Sequence, residues 1–380
     1  MDGVDASIVQ SDGKVTYRVI LDKYFEYPKT IYRKIIMLRD KIKNSKDLKI
    51  FEKKIKSDEK EITVFHAKVV NEILKKTKIN IDFIGLHGQT VFHNPNAYSK
   101  KDRITVQLAD GKLLSKLTKK KVIYNFRQED LKYGGQGAPL TPIFHKLLVS
   151  QFKIYQPVVI LNIGGISNIT HIKNNKIRES KDIGPGNCLI DQWIRKKSKK
   201  KFDLNGSIAA SGIKNDVICD KALFNWDWKM DPDHHLHESK SIESSMQKLR
   251  SKLFQMRTYD IKDFDLSFVE GLSLEDGAAT LTSYTAAIIS NAINRIGSRG
   301  KIVVCGGGRK NNFLMKKILE TLKTSQPVEL IDKFGIDGDF IESQAFAYLA
   351  VRSYLKLPIS FPDTTGCSKP CIGGVIVKNF

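Results

Sequence analysis

Three short glycine turns carry the first chemical signal in this 380-residue chain. Glycine has no Cβ, so the backbone N–H groups of such turns can approach phosphate oxygens closely. One turn is weak evidence, because glycine turns connect elements in every α/β fold, but three turns that each follow a strand or lie in a hairpin favour phosphate binding. The turns are Asp2-Gly3-Val4-Asp5, Gly164-Gly165 and Gly306-Gly307-Gly308.

Two widespread nucleotide-binding motifs do not match these turns. Neither GxGxxG with an acidic residue about 20 positions later nor GxxxxGK[ST] is present. A nicotinamide-dependent enzyme and a P-loop NTPase are therefore disfavoured.

Two clusters contain residues that can bind metals. His234, His235 and His237 lie close together, but adjacent histidines in a polar segment rarely point at one ion, so a solvated loop is the favoured interpretation. Cys367 and Cys371 are four residues apart with no second pair elsewhere, so we expect no zinc site there. Five cysteines are odd in number and sparse for this length, which disfavours a disulfide framework.

Short apolar runs alternate with helical segments, which predicts an α/β fold. The chain should open with a hairpin, residues 4–10 and 14–21 about the turn 11–13. Residues 157–162 should form a strand that runs directly into the second glycine turn. Further strands are predicted at 81–85 and 302–305, and helices within 29–80, 139–150, 311–322 and 342–355.

Capping signals predict two helix boundaries more closely. Asn187 is expected to cap the helix that carries Leu189 and Trp193. Ser273 and Asp276 resemble a capping box before a long apolar helix, and Gly297 should end that helix.

The net charge of +22 raises the question of a nucleic-acid partner. Most of the basic residues are lysines spread along the chain, and the dense runs at 119–121 and 195–201 lack aromatic residues that stack on bases. We therefore expect no nucleic-acid partner. No apolar run reaches about 18 residues, and the acidic start does not resemble a signal peptide, so we expect a cytoplasmic protein without a membrane partner.

Longer motifs resemble one known family, the anhydro-N-acetylmuramic acid kinases, over nearly the whole chain. Two of them, GGQGAPL at residues 134–140 and LNIGGISN at 161–168, are too long to match by chance. The resemblance is also carried by residues 1–5, 85–93, 182–187, 271–280 and 304–311.

The resemblance implies a two-domain actin/hexokinase-like (ribonuclease H-like) ATPase fold with ATP in the interdomain cleft. The expected N-terminal domain is 1–129 plus 358–380, and the C-terminal domain is 130–357. The implied enzyme uses ATP, Mg²⁺ and water to convert 1,6-anhydro-N-acetylmuramic acid to N-acetylmuramic acid 6-phosphate in peptidoglycan recycling. The family also implies a homodimer.

The same resemblance assigns roles to residues. Asp182 would be the catalytic base, since a carboxylate at a strand end beside a Gly-Pro-Gly turn has room for a sugar. Asp2 and Asp5 would lie near Mg²⁺. Candidate substrate contacts are His87, Gln89, Arg127 and Gln136, with Arg127 suited to the lactyl carboxylate. The nucleotide would meet Asp2, Gly3, Asp5, Asn162, Gly164, Gly165, Gly306, Gly307, Gly308 and Asn311.

The chain departs from the family pattern in two places. The family's first strand has no counterpart before Asp2, so we expect that Met1 is internal to a longer natural protein. Residues 224–262 are long and polar, and only Asp260, Asp263 and Phe264 match the family there. The alternatives are a kinase for another sugar and a truncated, non-catalytic remnant.

Overall fold

The structure is a computed structural model that describes residues 2–77, 79–95, 103–230, 258–297, 300–323 and 327–380. The chain divides into two compact units, Met1–Ile154 with Phe340–Phe380, and Tyr155–Asp339. No helix in the described ranges is both long and apolar enough to cross a membrane. The predicted α/β class is confirmed.

The first unit opens with the predicted antiparallel hairpin. One carboxylate oxygen of Asp12 shapes its turn by accepting hydrogen bonds from the N–H groups of residues 14, 15 and 16 at 2.8–2.9 Å. Three helices rich in lysine follow and bury their apolar faces against a second hairpin. The elements up to residue 124 are β1 (Gly3–Ser11), β2 (Tyr17–Glu26), α1 (Lys29–Lys41), α2 (Ser45–Ile50), α3 (Glu52–Lys76), β3 (Phe83–Leu86), β4 (Gln89–Asn94), β5 (Ile104–Leu108), α4 (Gly111–Thr118) and β6 (Lys121–Tyr124).

Two further helices precede the second unit. These are α5 (Gln128–Lys132) and α6 (Pro142–Gln151), separated by the GGQGAPL loop. Helix α6 buries Phe144 and Leu148, so it contributes to the core of the first unit.

A mixed five-stranded sheet forms the centre of the second unit, in the order β11-β10-β7-β8-β9. The fully buried strand β7 pairs in parallel with β10 and antiparallel with β8. A 23-residue helix, α10, packs on this sheet; Ser273 caps it and Gly297 ends it at φ +60°, as predicted. The elements are β7 (Val158–Ile163), β8 (Ile166–Lys173), β9 (Lys176–Pro185), α7 (Cys188–Lys197), α8 (Ser207–Ser211), α9 (Asp216–Met230), α10 (Leu274–Ile296), β10 (Lys301–Cys305), α11 (Asn312–Thr321) and β11 (Val328–Leu330).

The chain then returns to the first unit with α12 (Ile341–Tyr354), α13 (Pro362–Thr365) and β12 (Val375–Val377). Strand β12 joins β6 and β3 in a three-stranded sheet. Helix α12 is tied to the first hairpin, because Arg352 donates to the carbonyl oxygen of Gly13 at 2.7 Å.

The unit boundaries lie elsewhere than the sequence suggested. Residues 130–154 and 340–357, expected in the second domain, belong to the first unit. Packing explains this: the ring of Phe144 on α6 contacts Tyr17 of β2 and Tyr348 of α12, at centroid distances of 5.1 and 5.7 Å. These contacts join segments that are distant in sequence.

Candidate active site

Asp182 lies near the end of β9, beside a β-bulge at Ile183. Its cross-strand partner Asn168 precedes Ile169, which packs into the apolar core of the sheet. Because successive side chains of β8 alternate and opposed residues share a face, Asp182 faces away from that core, and it is half-buried. Its Oδ2 accepts a hydrogen bond from the backbone N–H of Tyr259 at 3.0 Å, which holds the carboxylate in place.

Asn168 is the cross-strand partner of Asp182 in the β8–β9 pair. Directly opposed residues of an antiparallel pair share a face of the sheet. The Oδ1 atom of Asn168 is buried and has no hydrogen-bond partner among the described residues. Asn168 is the last residue of the LNIGGISN motif, but the sequence alone assigned it no role.

The Gly164-Gly165 turn is held by the backbone that follows Asp182. The N–H groups of Gly186 and Cys188 donate to the carbonyl oxygen of Gly165 at 3.0 and 3.1 Å, and that of Asn187 to Gly164 at 2.8 Å. Asn187 occupies the N-cap position of α7, but its side chain makes no capping hydrogen bond, so that part of the prediction was wrong. The carbonyl oxygens of Gly164 and Gly165 instead accept hydrogen bonds from the N–H groups at the start of the helix.

The glycines of these turns fall into two groups. A Cβ at Gly306 or Gly308 would lie 2.4 or 2.2 Å from protein atoms, so packing alone requires glycine at both positions. A Cβ at Gly164 or Gly165 would meet nothing closer than 3.5 Å, and one at Gly307 nothing within 4 Å. These three glycines leave open space of the kind that a closely approaching ligand needs.

Asn162 and Asn311 have clear structural contacts. Asn162 is buried at the end of β7, where its Oδ1 accepts from the Cys305 thiol at 3.8 Å. Asn311 caps α11, since its Oδ1 accepts from the N–H of Leu314 at 2.9 Å. Its contact with a nucleotide stays a prediction.

An open cavity of about 370 Å³ lies beside Arg309 and Lys310, directly after the Gly306–Gly308 turn. Arg309 is almost fully buried there and pairs with Asp332 at 2.7 Å and Asp339 at 2.5 Å. Lys310 and Asp337 also line the cavity. The sequence alone did not predict that Arg309 pairs with these aspartates. The only sequence signal for it is the close spacing of the aspartates at 332, 337 and 339.

In the first unit, Asp2 and Asp5 are exposed at the start of β1. Burial raises the pKa of the Tyr24 phenol, and the charges of Asp2 and Asp5 raise it further, so both carboxylates lie near that ring. Gly3 is required by packing, because a Cβ there would lie 2.4 Å from the same ring. Two exposed carboxylates fit Mg²⁺, which is usually held by few carboxylates and several waters.

His87 and Arg127 form a pair. The guanidinium nitrogens Nε and Nη2 of Arg127 lie 3.3 and 3.0 Å from Nε2 of His87, and Nη1 donates to the carbonyl oxygen of Gly137 at 2.7 Å. The His87 ring packs on Phe346 with centroids 4.2 Å apart. Burial lowers the pKa of His87 well below its usual value, and the Arg127 charge lowers it further. His87 is therefore a neutral acceptor that orients a permanent cation.

The loop that carries Gln136 is anchored by a buried carboxylate. Oδ2 of Asp130 accepts from the N–H of Gly137 at 2.6 Å, and Oδ1 accepts from the Thr365 hydroxyl at 2.5 Å. The N–H of Gln136 itself donates to the carbonyl oxygen of Thr365 at 3.0 Å. Gln89 lies at the start of β4, opposite Leu108.

A family model for anhydro-N-acetylmuramic acid kinase matches residues 1–379. The chain belongs to the anhydro-N-acetylmuramic acid kinase family. A curated relative of that name from Pelagibacter ubique is 49% identical over 387 residues, covering 100% of this chain and 96% of the relative. One from Brucella canis is 35% identical over 386 residues with the same coverage. A ROK hexokinase structure from Thermus thermophilus aligns with 93% of this chain at 11% identity and a TM-score of 0.32, which is too low to support any conclusion.

The structure brings several predicted residues of this anhydro-N-acetylmuramic acid kinase family member together within each unit. In the first unit, Asp2 and Asp5 both act on the Tyr24 phenol, and His87 pairs with Arg127. In the second, the Gly164-Gly165 turn adjoins the segment after Asp182, and a Cβ on Gly306 would touch the amide of Asn162. Gln89 lies on β4 and Gln136 in the loop between α5 and α6.

The segment 224–262, where the chain departs from the kinase family pattern, contacts the proposed base Asp182. Its residue Tyr259 donates to Asp182, and the rings of Tyr259, Trp226 and Phe264 pack together at centroid distances of 5.5–5.8 Å. Asp260 and Asp263 form a capping box at a short 3₁₀ turn. His234, His235 and His237 lie outside the described residues.

Proposed function

We propose that this chain is a kinase that uses ATP and water to convert 1,6-anhydro-N-acetylmuramic acid to N-acetylmuramic acid 6-phosphate. The product would enter peptidoglycan recycling and amino-sugar catabolism. Full-length family membership supports the substrate class. The observation that carries the proposal is Asp182, a fixed carboxylate at a strand end. The segment that follows it holds the Gly164-Gly165 turn, whose glycines the packing of the protein does not require.

In the proposed reaction, Asp182 takes a proton from water as the water oxygen attacks the anomeric carbon. The bond from that carbon to the bridging 6-oxygen breaks, and the 6-oxygen accepts the γ-phosphoryl group as ADP leaves. Proton removal by a positioned carboxylate is general-base catalysis, which typically contributes 10²–10⁴-fold. The hydrogen bond from Tyr259 would keep the carboxylate aimed at the water.

The nucleotide would be held mainly by backbone groups. The backbone about Gly164, Gly165 and Gly307 has open space where a Cβ would lie, which suits the close approach of phosphate oxygens. The cavity beside Arg309 has room for the nucleoside. Asp2 and Asp5 would hold Mg²⁺ through water, and the ion, when bound, would neutralise charge on the phosphates.

Arg127 is the proposed anchor for the lactyl carboxylate of the sugar. Two of its nitrogens are oriented by neutral His87 and one by the Gly137 carbonyl oxygen, so the guanidinium plane is fixed before substrate arrives. A fixed planar cation suits a carboxylate. Gln89 and Gln136 are proposed to contact the sugar's polar groups. We further propose a cytoplasmic homodimer without a nucleic-acid partner.

The test is ADP release with ATP, Mg²⁺ and 1,6-anhydro-N-acetylmuramic acid, with mass spectrometry of the sugar. We expect a product heavier by one water and one phosphoryl group. Asp182→Asn should lower kcat by at least about 100-fold, whereas Asp265→Asn, at an exposed carboxylate, should leave it unchanged.

Three outcomes separate the alternatives. A folded chain that releases ADP faster with N-acetylmuramic acid or N-acetylglucosamine is a kinase for another sugar. A folded chain that releases no ADP with any of these sugars is a non-catalytic remnant. Full activity in Asp182→Asn would remove that residue from the role of base.

A further inference from the structure

Three potential metal ligands meet in the first unit, outside the proposed active-site groups. Asp130 lies on α5, and Cys367 and Cys371 lie in the tail after α13. Their ligand atoms all lie within 4.8 Å of one another, and all three residues are 1–2% exposed. The sequence showed only the cysteine pair; the fold adds the carboxylate.

Asp130 is a buried carboxylate without a cationic partner. It accepts hydrogen bonds from the N–H of Gly137 and the hydroxyl of Thr365. Within the described part of the chain, no lysine, arginine or histidine forms an ion pair with it. A buried charge is costly unless it is paired or coordinates a metal. The carboxylate, which also has a hydrogen bond with the Cys367 thiol, and the two neighbouring sulfurs are the groups that could relieve that cost by binding a cation.

We propose that Asp130, Cys367 and Cys371 form a Zn²⁺ site. Sulfur and carboxylate oxygen are common zinc ligands, at about 2.3 Å and 2.0–2.2 Å, and three protein ligands plus one water complete a tetrahedron. The ligand atoms need to move together by only about 1 Å to satisfy these bond lengths. Each thiol releases its proton to solvent as its sulfur binds, and Cys371 gives up its hydrogen bond to the carbonyl oxygen of Lys369.

The ion would act on the substrate loop through Asp130. This residue holds Gly137 by its side chain and Gly135 by its carbonyl oxygen, on either side of Gln136. A metal that fixes Asp130 to the C-terminal tail would stiffen this loop, and a ligand that binds only the folded state raises the melting temperature. The role is structural and leaves the reaction itself to other residues.

The first measurement uses the unmodified chain, freed of metal by a chelator. One equivalent of Co²⁺ should produce a thiolate-to-cobalt charge-transfer band, which one equivalent of Zn²⁺ then abolishes. Zn²⁺ should bind one per chain, release protons and raise the melting temperature. Absence of the charge-transfer band from the intact chain would overturn the proposal, whatever any variant does.

Variants then locate the site. Cys367→Ala/Cys371→Ala should lose the band and the melting shift, and Asp130→Asn should weaken Zn²⁺ binding at least tenfold. Cys188→Ala/Cys219→Ala is the matched control, because it removes two buried thiols of the second unit and should bind as the unmodified chain does. The proposal would be refuted if Cys367→Ala/Cys371→Ala still bound one Zn²⁺ per chain and changing His234, His235 and His237 abolished that binding. The site would then lie elsewhere.

Discussion

The two units hold their candidate loops by different means. In the first, the buried Asp130 carboxylate and the Arg127 guanidinium hold the loop around Gln136, in addition to the backbone hydrogen bonds of Gly135 and Gln136. In the second, the Gly164-Gly165 turn is held by backbone hydrogen bonds, and Gly306 by close packing. A loop fixed by buried polar side chains is vulnerable to changes in charge and protonation. A loop fixed by close backbone contacts is instead sensitive to substitutions that add side-chain atoms.

The histidines extend the contrast. Four lie in the first unit, of which His66 and His145 are buried and His87 and His93 half-buried. Desolvation lowers the pKa of His66 and His145 to about 4, and desolvation together with the Arg127 charge lowers that of His93 to about 3 and that of His87 well below its usual value. In the second unit, His171 is the one histidine among the described residues, and burial lowers its pKa. The first unit should therefore be the acid-sensitive one.

The largest expected effect is on acid stability. The unfolded state binds protons at an ordinary histidine pKa near 6.5, but the folded state does not, so stability is full above that pH and falls as pH drops towards 4. Each buried histidine removes up to about 1.4 kcal/mol per pH unit over this window. All three tryptophans, Trp193, Trp226 and Trp228, lie in the second unit. On acidification, loss of far-UV circular dichroism should therefore precede the change in tryptophan emission.

Salt provides the control for that titration. Added salt screens the repulsion that grows with net positive charge but does not relieve histidine burial. The order of the two transitions should therefore persist at high salt. Coincident transitions, or tryptophan emission changing first, would contradict the proposed difference between the units.

The second prediction targets the side-chain anchor of the first unit. Asp130→Ala leaves the N–H of Gly137 and the hydroxyl of Thr365 without their acceptor, at roughly 1–3 kcal/mol each, so urea denaturation should show a loss of about 4 kcal/mol. The KM for the sugar should also rise, since Gln136 lies in the same loop. Asp40→Ala, at an exposed ion pair, should change stability by less than about 0.5 kcal/mol. An Asp130→Ala protein as stable as the original would show that the loop does not depend on this residue.

Local sequence patterns were enough to predict the elements that carry the second unit's turns. The apolar run 157–162, the capping residue Ser273 and the terminal Gly297 each act within a few residues of their effect, and the structure has them as expected. The side-chain anchors were not predictable in this way. Asp130 meets Thr365, and Arg309 meets Asp332 and Asp339, only after distant segments have packed.

The compact units differ from the predicted domains for the same reason. Helices α6 and α12 carry no signal for the unit they join, because that depends on which core accepts Phe144 and Tyr348. The position of Asn168 was not predicted for another reason. Its motif is visible in the sequence, but its place opposite Asp182 depends on the register of β8 and β9.

The third prediction targets the packed turn of the second unit. Alanine at Gly306 must adopt φ +81° and place Cβ 2.4 Å from Oδ1 of Asn162. Left-handed backbone costs roughly 1–2 kcal/mol and overpacking about 1–3 kcal/mol, so we expect a loss of about 3 kcal/mol, measured by tryptophan fluorescence in urea. Gly307→Ala is the matched control, because its Cβ meets nothing. It should keep its stability yet raise the KM for ATP if the space serves the nucleotide. Equal stability losses in both variants would contradict the distinction between these glycines.

The smallest expected effect concerns Asn311, where the second unit does rely on a side chain. Asn311→Ala removes the cap of α11 and should cost about 1 kcal/mol. Asn311→Asp keeps the accepting oxygen, so its stability should match that of the original chain. If the amide nitrogen also contacts the nucleotide, Asn311→Asp should raise the KM for ATP several-fold while the urea midpoint is unchanged. An unchanged KM in that variant would assign Asn311 to helix capping alone and remove it from the nucleotide site.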